Sequence, residues 1–187
     1  MSSAGNNKAQ RAALLITILA LAGSLQAQIY MGRICRISFF SEASLENIDA
    51  TNSTTTPVLN AKNGTVALKA LQNAFIFKSS LMQEHYNENY VESEKYPFAT
   101  FTGKINEAID YSKDQVNQVT VTGLLDMHGV SKEQTVQGSL EVKGNTLVFN
   151  ATFMVSLADY RIKVPSLYFD KIAKTIKVTI STELVKK

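Results

Sequence analysis

Few side chains in this 187-residue chain can do chemistry: two histidines, one cysteine and 16 carboxylates. His85 has Glu84 beside it and Glu88 three residues on, a spacing that puts His85 and Glu88 on one face of a helix. A metal ion would need a third and a fourth ligand, and His128 is the only other imidazole. A solvated or helix-orienting role therefore suits His85 better. With Cys35 as the lone cysteine, a Cys/His zinc cluster and an intramolecular disulfide are both impossible. His128 precedes Gly129 in what reads as a hairpin turn, where a histidine without a nucleophile partner bonds turn backbone and catalyses nothing. Glu84, Glu88, Glu92 and Glu94 read as the wet face of a helix, whereas acid–base catalysis needs carboxylates flanking a cleft with separated pKa values. No nucleophile elbow, phosphate loop or metalloprotease motif is present. The residues thus predict no catalytic site, no metal and no cofactor.

The elements that would position these groups begin with a segment to be set aside. Residues 1–27 carry Lys8 and Arg11, an unbroken apolar run from Ala12 to Ala22, and then Gly-Ser-Leu-Gln-Ala. That is the pattern of a secretory signal peptide, with cleavage expected after Ala27 and a periplasmic or secreted product. The run is far shorter than the roughly 20 residues needed to span a bilayer, so stable membrane insertion is not expected. Removing it takes two basic and no acidic residues, lowering the net charge from +3 to +1. A balance so near neutral gives no basic face for nucleic acid. With 45% hydrophobic residues the remaining 28–187 can build one core, and no linker or repeat divides them.

Apolar alternation with period two dominates, the mark of strands with one buried face. Val136, Leu140 and Val142 alternate with Gln137, Ser139, Glu141 and Lys143, and Gly144-Asn145 supplies a two-residue hairpin turn. Leu147, Phe149, Ala151, Phe153, Val155 and Leu157 then share one face, and Ile176, Val178, Ile180 and Leu184 repeat the scheme. Further strands are predicted over 34–40, 44–52, 65–71, 74–77, 99–109 and 115–127. About eight strands punctuated by turns indicate an antiparallel barrel or sandwich. One segment departs: across 79–94, Met82, Tyr86 and Tyr90 fall at four-residue steps behind Ser79 or Ser80 as N-cap. This predicts a single helix of about three turns that caps or plugs one end of the sheet.

Several ordered motifs here resemble the YceI-like family. They are the stretch from Ser80 to Tyr90 (SLMQEHYNENY), Glu94 to Lys104 (EKYPFATFTGK), Val121 to Lys132 (VTGLLDMHGVSK) and Asp159 to Pro165 (DYRIKVP). The resemblance runs from about Ile37 to Leu184. It departs at the start, where Arg36–Ser41 stands as a short opening in place of a longer first strand. The resemblance implies a lipocalin-like, eight-stranded antiparallel barrel with a helix at one end. It also implies an exported bacterial protein whose lumen holds a polyisoprenoid or similar lipid. In such a pathway the glycosylation triplets Asn52-Ser53-Thr54 and Asn63-Gly64-Thr65 read as chance matches.

Given that barrel, the expected lumen residues are Phe75, Phe77, Met82, Tyr86, Phe98, Phe101, Phe149, Phe153, Val155, Ile162, Ile176 and Val178. Each could equally pack on its neighbours as core. Lys95, Lys104 and Arg161 are the candidates for a head group, since a guanidinium or ammonium makes charge-assisted bonds to a diphosphate. The expected function is sequestration or carriage of a long apolar lipid, polyisoprenoid or quinone-like, without enzymatic activity. The alternative is a closed-core barrel that acts as a periplasmic interaction or stress-related module, its protein partner unknown. An outer-membrane barrel ranks lower, because it would turn its apolar faces outward between aromatic girdles.

Overall fold

Alternating strands with one apolar face bury that face most completely by curling into a closed sheet, which also removes the unpaired edges. The computed structural model does this over the residues it describes, 28–42, 47–164 and 172–187. The expected signal peptide, the residues from Ser44 to Leu45 and Glu46 at the start of the second strand, and Pro165 all lie outside them. The strands are β1 (Ile29–Ser41), β2 (Ile48–Asn52), β3 (Val58–Asn60), β4 (Thr65–Leu71), β5 (Ile76–Phe77), β6 (Phe98–Ile105), β7 (Gln115–Met127), β8 (Val130–Lys143), β9 (Thr146–Ser156) and β10 (Thr175–Lys186). β2 and β3 lie end to end on β1 in one register, with Asn52 opposite Ile37 and Asn60 opposite Ile29. β4 and β5 continue that arrangement, pairing with β3 and β2 respectively. The ten segments therefore form the eight staves of an antiparallel barrel, closed where β10 pairs with β1.

Differences from the sequence reading have local causes. β1 is a long strand of 13 residues rather than a short opening. A bulge between Gly32 and Ile34 shifts its register on β10, so Tyr30 and Cys35 are both buried while Ile34 is exposed. The alternation loses phase at that bulge, which hides the first half of the strand. β3 is too short for a pattern. β6 stops at Ile105 instead of running to 109, because Ile109 and Tyr111 turn under the barrel and pack on its core. β8 starts six residues before Val136, at Val130, through a stretch with little apolar content.

Asn52 interrupts the second stave. It is buried, donates from Nδ2 to the Leu71 carbonyl at 2.9 Å, and accepts at Oδ1 from the Thr54 amide at 2.8 Å. Those bonds hold the outward loop between β2 and β3, and they leave this asparagine no access to a glycosylating enzyme. Two tight turns link the last long strands. His128 and Gly129, at φ +53° and +72°, join the paired residues Met127 and Val130, as a type I′ turn requires. Gly144, at φ +55°, opens the expected turn between β8 and β9.

The helical segment is shorter than 79–94. Ser79 is the N-cap, its hydroxyl accepting from the Met82 amide. Helix α1 (Ser80–His85) passes into a π-helical turn over Tyr86–Tyr90, where the Val91 amide reaches back to the Tyr86 carbonyl at 2.9 Å. The helix stops before Glu92, whose φ of +47° cannot continue it. At the opposite end, Tyr30, Leu59, Leu140, Val142 and Leu147 form a dry floor with Tyr111 packed beneath Tyr30. The fold is thus a barrel with a filled floor and a helix at its other end.

Candidate functional site: the lumen between floor and helix

Inward residues of the staves line a cavity of about 540 Å³, within the ~300–1,000 Å³ common for ligand pockets. The strands set its shape by period two. β9 contributes Phe149, Phe153 and Val155, while β10 contributes Ile176, Val178 and Ile180 from alternating positions. Glycine deepens it: a Cβ on Gly103 would sit 2.7 Å from the Phe101 ring, and one on Gly138 would sit 2.9 Å from the Phe149 ring. The two rings occupy the space of the missing side chains and line the lower cavity. Above, Phe39, Phe75, Phe77 and Tyr86 meet with ring centroids 5.0 to 5.9 Å apart, tying the helical segment to β1 and β5.

Eleven of the twelve residues expected in the lumen do line the cavity. Phe98 does not. It begins β6 on the outward phase opposite to Ala99 and Phe101, is 40% exposed, and lies 3.6 Å beneath the Lys69 ammonium. None of the three head-group candidates lines the cavity either. Lys104 is exposed on the outer face of β6, paired with Thr65 and Thr122 at the end away from α1. Lys95 is exposed with its ammonium over the Tyr96 ring, and its pKa is raised chiefly by a bond to Tyr96 and then by Glu92. Arg161 is exposed at φ +57°, closing the 3-10 turn Ala158–Tyr160. Basic residues were legible as charges, but their side of the strand or turn was not.

Sequence reasoning missed the polar groups inside. Among the described residues, no Asp, Glu, Lys or Arg lines the cavity, but Ser41, Gln72, Ser79, His85 and Thr182 do. Gln72 is 1% exposed and accepts the Tyr86 hydroxyl at Oε1, 2.6 Å away. Burial pushes the Tyr86 phenol far above its usual range, so it stays a neutral donor. Cys35 is buried in the cluster next to the cavity, and burial raises its thiol pKa against a smaller opposing effect from Thr182. His85 comes near no metal-binding set: among the described residues no three His, Cys, Asp or Glu gather around one point.

His128 bonds backbone, as expected, but that of a distant segment. Its Nδ1 lies 2.9 Å from the Tyr160 carbonyl, which can only accept, so Nδ1 carries the hydrogen. Its Nε2 lies 2.7 Å from Glu92 Oε2, and Tyr96 packs edge-on at 4.7 Å. Glu92, His128 and Arg161 are the three non-glycine residues with positive φ among those described, and the imidazole joins all three turns. This clasp sets where Val91, Leu157 and Ile162 stand along the cavity wall. Glu92 is therefore a clasp residue, while Glu84, Glu88 and Glu94 are exposed.

Among the described residues, no helix is long and apolar enough to cross a membrane. The barrel's apolar faces point inward and its outer faces carry Lys177, Thr179 and Ser181 or Asn150 and Thr152, the reverse of a membrane-spanning barrel. A family profile, the YceI-like domain, matches residues 36–184. Curated protein sequences give no significant match. Solved structures share the fold. A polyisoprenoid binding domain from Saccharophagus degradans, implicated in plant cell wall breakdown, superposes with a TM-score of 0.71 at 15% identity, over 87% of this chain and 100% of that one. BcnA of Burkholderia cenocepacia gives 0.68 at 16% identity, over 80% and 95%. A YceI protein of Campylobacter jejuni gives 0.62 at 15% identity, over 78% and 88%.

Proposed function

The chain belongs to the YceI-like domain family, and from that premise we propose that it is an exported protein that holds one long apolar lipid, polyisoprenoid or quinone-like, in its lumen. The observation that carries this reading is the cavity of about 540 Å³ between a dry floor and the helix, walled by aromatic and branched aliphatic side chains. A barrel evolved only as a filled core has no use for that volume, because unfilled space forfeits packing energy. Each CH₂ moved from water into such a wall contributes about 0.8 kcal/mol. Ten to twenty carbons therefore give a large driving force, from which the cost of ordering the chain is subtracted. Among the described residues the same wall offers no acid–base pair, so the proposed role is binding and carriage, without a catalytic step. Export rests on the leader at residues 1–27.

Native mass spectrometry of the protein purified from its host's exported fraction, followed by organic extraction, tests the proposal. A one-to-one adduct that extracts as a polyprenyl or quinone-like lipid is expected. A clean apo mass, from protein that also takes up no added isoprenoid, would overturn it and leave a barrel that works through its rim.

A further inference from the structure

Three segments that wall the helix end of the cavity are joined by one imidazole. Val91 lines the cavity and is followed by Glu92, Met127 lines it and is followed by His128, and Ile162 lines it two residues after Tyr160. Val91, Tyr160 and Ile162 are buried in one cluster, with Met127 packed against it. His128 bonds Glu92 Oε2 at 2.7 Å and the Tyr160 carbonyl at 2.9 Å, so it ties all three segments to one point. Its own side chain does not line the cavity.

These two contacts fix the protonation of the ring. Nδ1 donates to the carbonyl, which has no hydrogen to give, and a carboxylate has none either. A neutral imidazole would therefore turn the bare Nε2 lone pair on the Glu92 oxygen at 2.7 Å, where two acceptors repel. The pair thus holds one proton more than a neutral imidazole beside a carboxylate, and 2.7 Å is the length of a charge-assisted bond. Nε2 keeps that proton, because the Glu92 side chain is half-exposed to water and interacts with the charge of Lys95. The other ionisable groups on the elements packed around the ring are Tyr96, Tyr160 with Asp159 and Arg161 on its turn, and Asp126 on β7. Of all these side chains, Glu92 alone bonds a ring nitrogen.

Resting on the lumen reading above, we infer that His128 is a positioning residue for the bound lipid: as an imidazolium it draws the three wall segments together, and loss of its proton loosens the wall and weakens retention of the ligand. It acts through Val91, Met127 and Ile162, which do line the cavity. The sign follows from linkage. The closed clasp binds a proton that the open one releases, so the ligand is held more tightly as the pH falls and less tightly as it rises.

Equilibrium partition of radiolabelled geranylgeraniol between the delipidated protein and phosphatidylcholine vesicles tests this from about pH 5 to about pH 9, a span that brackets the charge change of histidine. Neither probe nor vesicle changes charge over that span. Wild type is expected to bind about fivefold more weakly at the alkaline end. Glu92→Gln is the informative variant. A glutamine amide donates to a neutral Nε2 or turns its oxygen to a protonated one, so the clasp closes in either state. This variant is expected to stay within about twofold of wild type at the acid end and to hold that affinity across the range. His128→Ala is expected to bind throughout as weakly as wild type does at the alkaline end. Nitrogen-15 spectra of the histidine-labelled chain are expected to show His128 Nε2 losing its proton over the interval in which the affinity falls. A wild-type affinity that does not change with pH overturns the inference. So does a wild-type slope that persists in Glu92→Gln, or one that runs apart from the His128 titration. In each of those outcomes geranylgeraniol still binds, so the lumen reading stands. Failure of wild type to take up the probe at any pH overturns the lumen reading instead. Should His128→Ala not fold, wild type and Glu92→Gln decide between them.

Discussion

Replacing His128 by alanine removes the clasp that joins three turns, and its cost can be worked bond by bond. The imidazole is 11% exposed and bonds the Tyr160 carbonyl at 2.9 Å, a bond contributing about 1 kcal/mol. The contact to Glu92 at 2.7 Å is shorter, but the Glu92 side chain is 43% exposed, and solvent screening holds its contribution to about 1 kcal/mol. The edge-on Tyr96 ring adds roughly 0.5 kcal/mol. Alanine also takes φ +53° less readily than histidine, a further ~0.5–1 kcal/mol. The sum is about 3 kcal/mol, or a fall in Tm of about 6–12 °C for a domain of this size. Equilibrium urea unfolding followed by circular dichroism measures it, with the slope m unchanged. Glu92→Ala should cost about 1 kcal/mol alone, and the double variant should cost about 1 kcal/mol less than the two single changes added. A His128→Ala cost below about 1 kcal/mol, or strict additivity with Glu92→Ala, would refute the clasp.

Two other expectations follow from burial. Leu147 is 0% exposed in the barrel floor; Leu147→Ala should cost about 2–5 kcal/mol in the same urea assay, and a smaller loss would mean that the floor is loosely packed. Burial raises the Cys35 thiol pKa, so the folded state keeps the proton that the unfolded chain releases above its ordinary value near 9. Cys35 should therefore favour the fold fully below that pH and lose this contribution as the pH rises past it. At pH 8, iodoacetamide should label the native protein at least about a hundredfold slower than the urea-unfolded chain; equal rates would place the thiol outside the core.

Much of the barrel was legible because an alternation of period two is written directly into the residues. β4 and β7 begin and end where the pattern predicts, and the inward faces of β9 and β10 follow their apolar positions residue by residue. Phe98 was misplaced because one residue of phase decides inside from outside, and an aromatic ring at a strand's first position carries no phase of its own. The opening half of β1 was hidden by its bulge, where the extra residue reverses the alternation.

By itself the sequence determined the mainly antiparallel β class and which strand positions are apolar, since both come from short-range pattern and composition; the motifs shared with the YceI-like family added the closed barrel. Only the tertiary structure decided which polar groups meet. Gln72 and Tyr86 are 14 residues apart, and His128 reaches Glu92 and Tyr160 across 36 and 32 residues. No local pattern encodes such pairings, because they exist only once barrel closure has brought distant turns to one end.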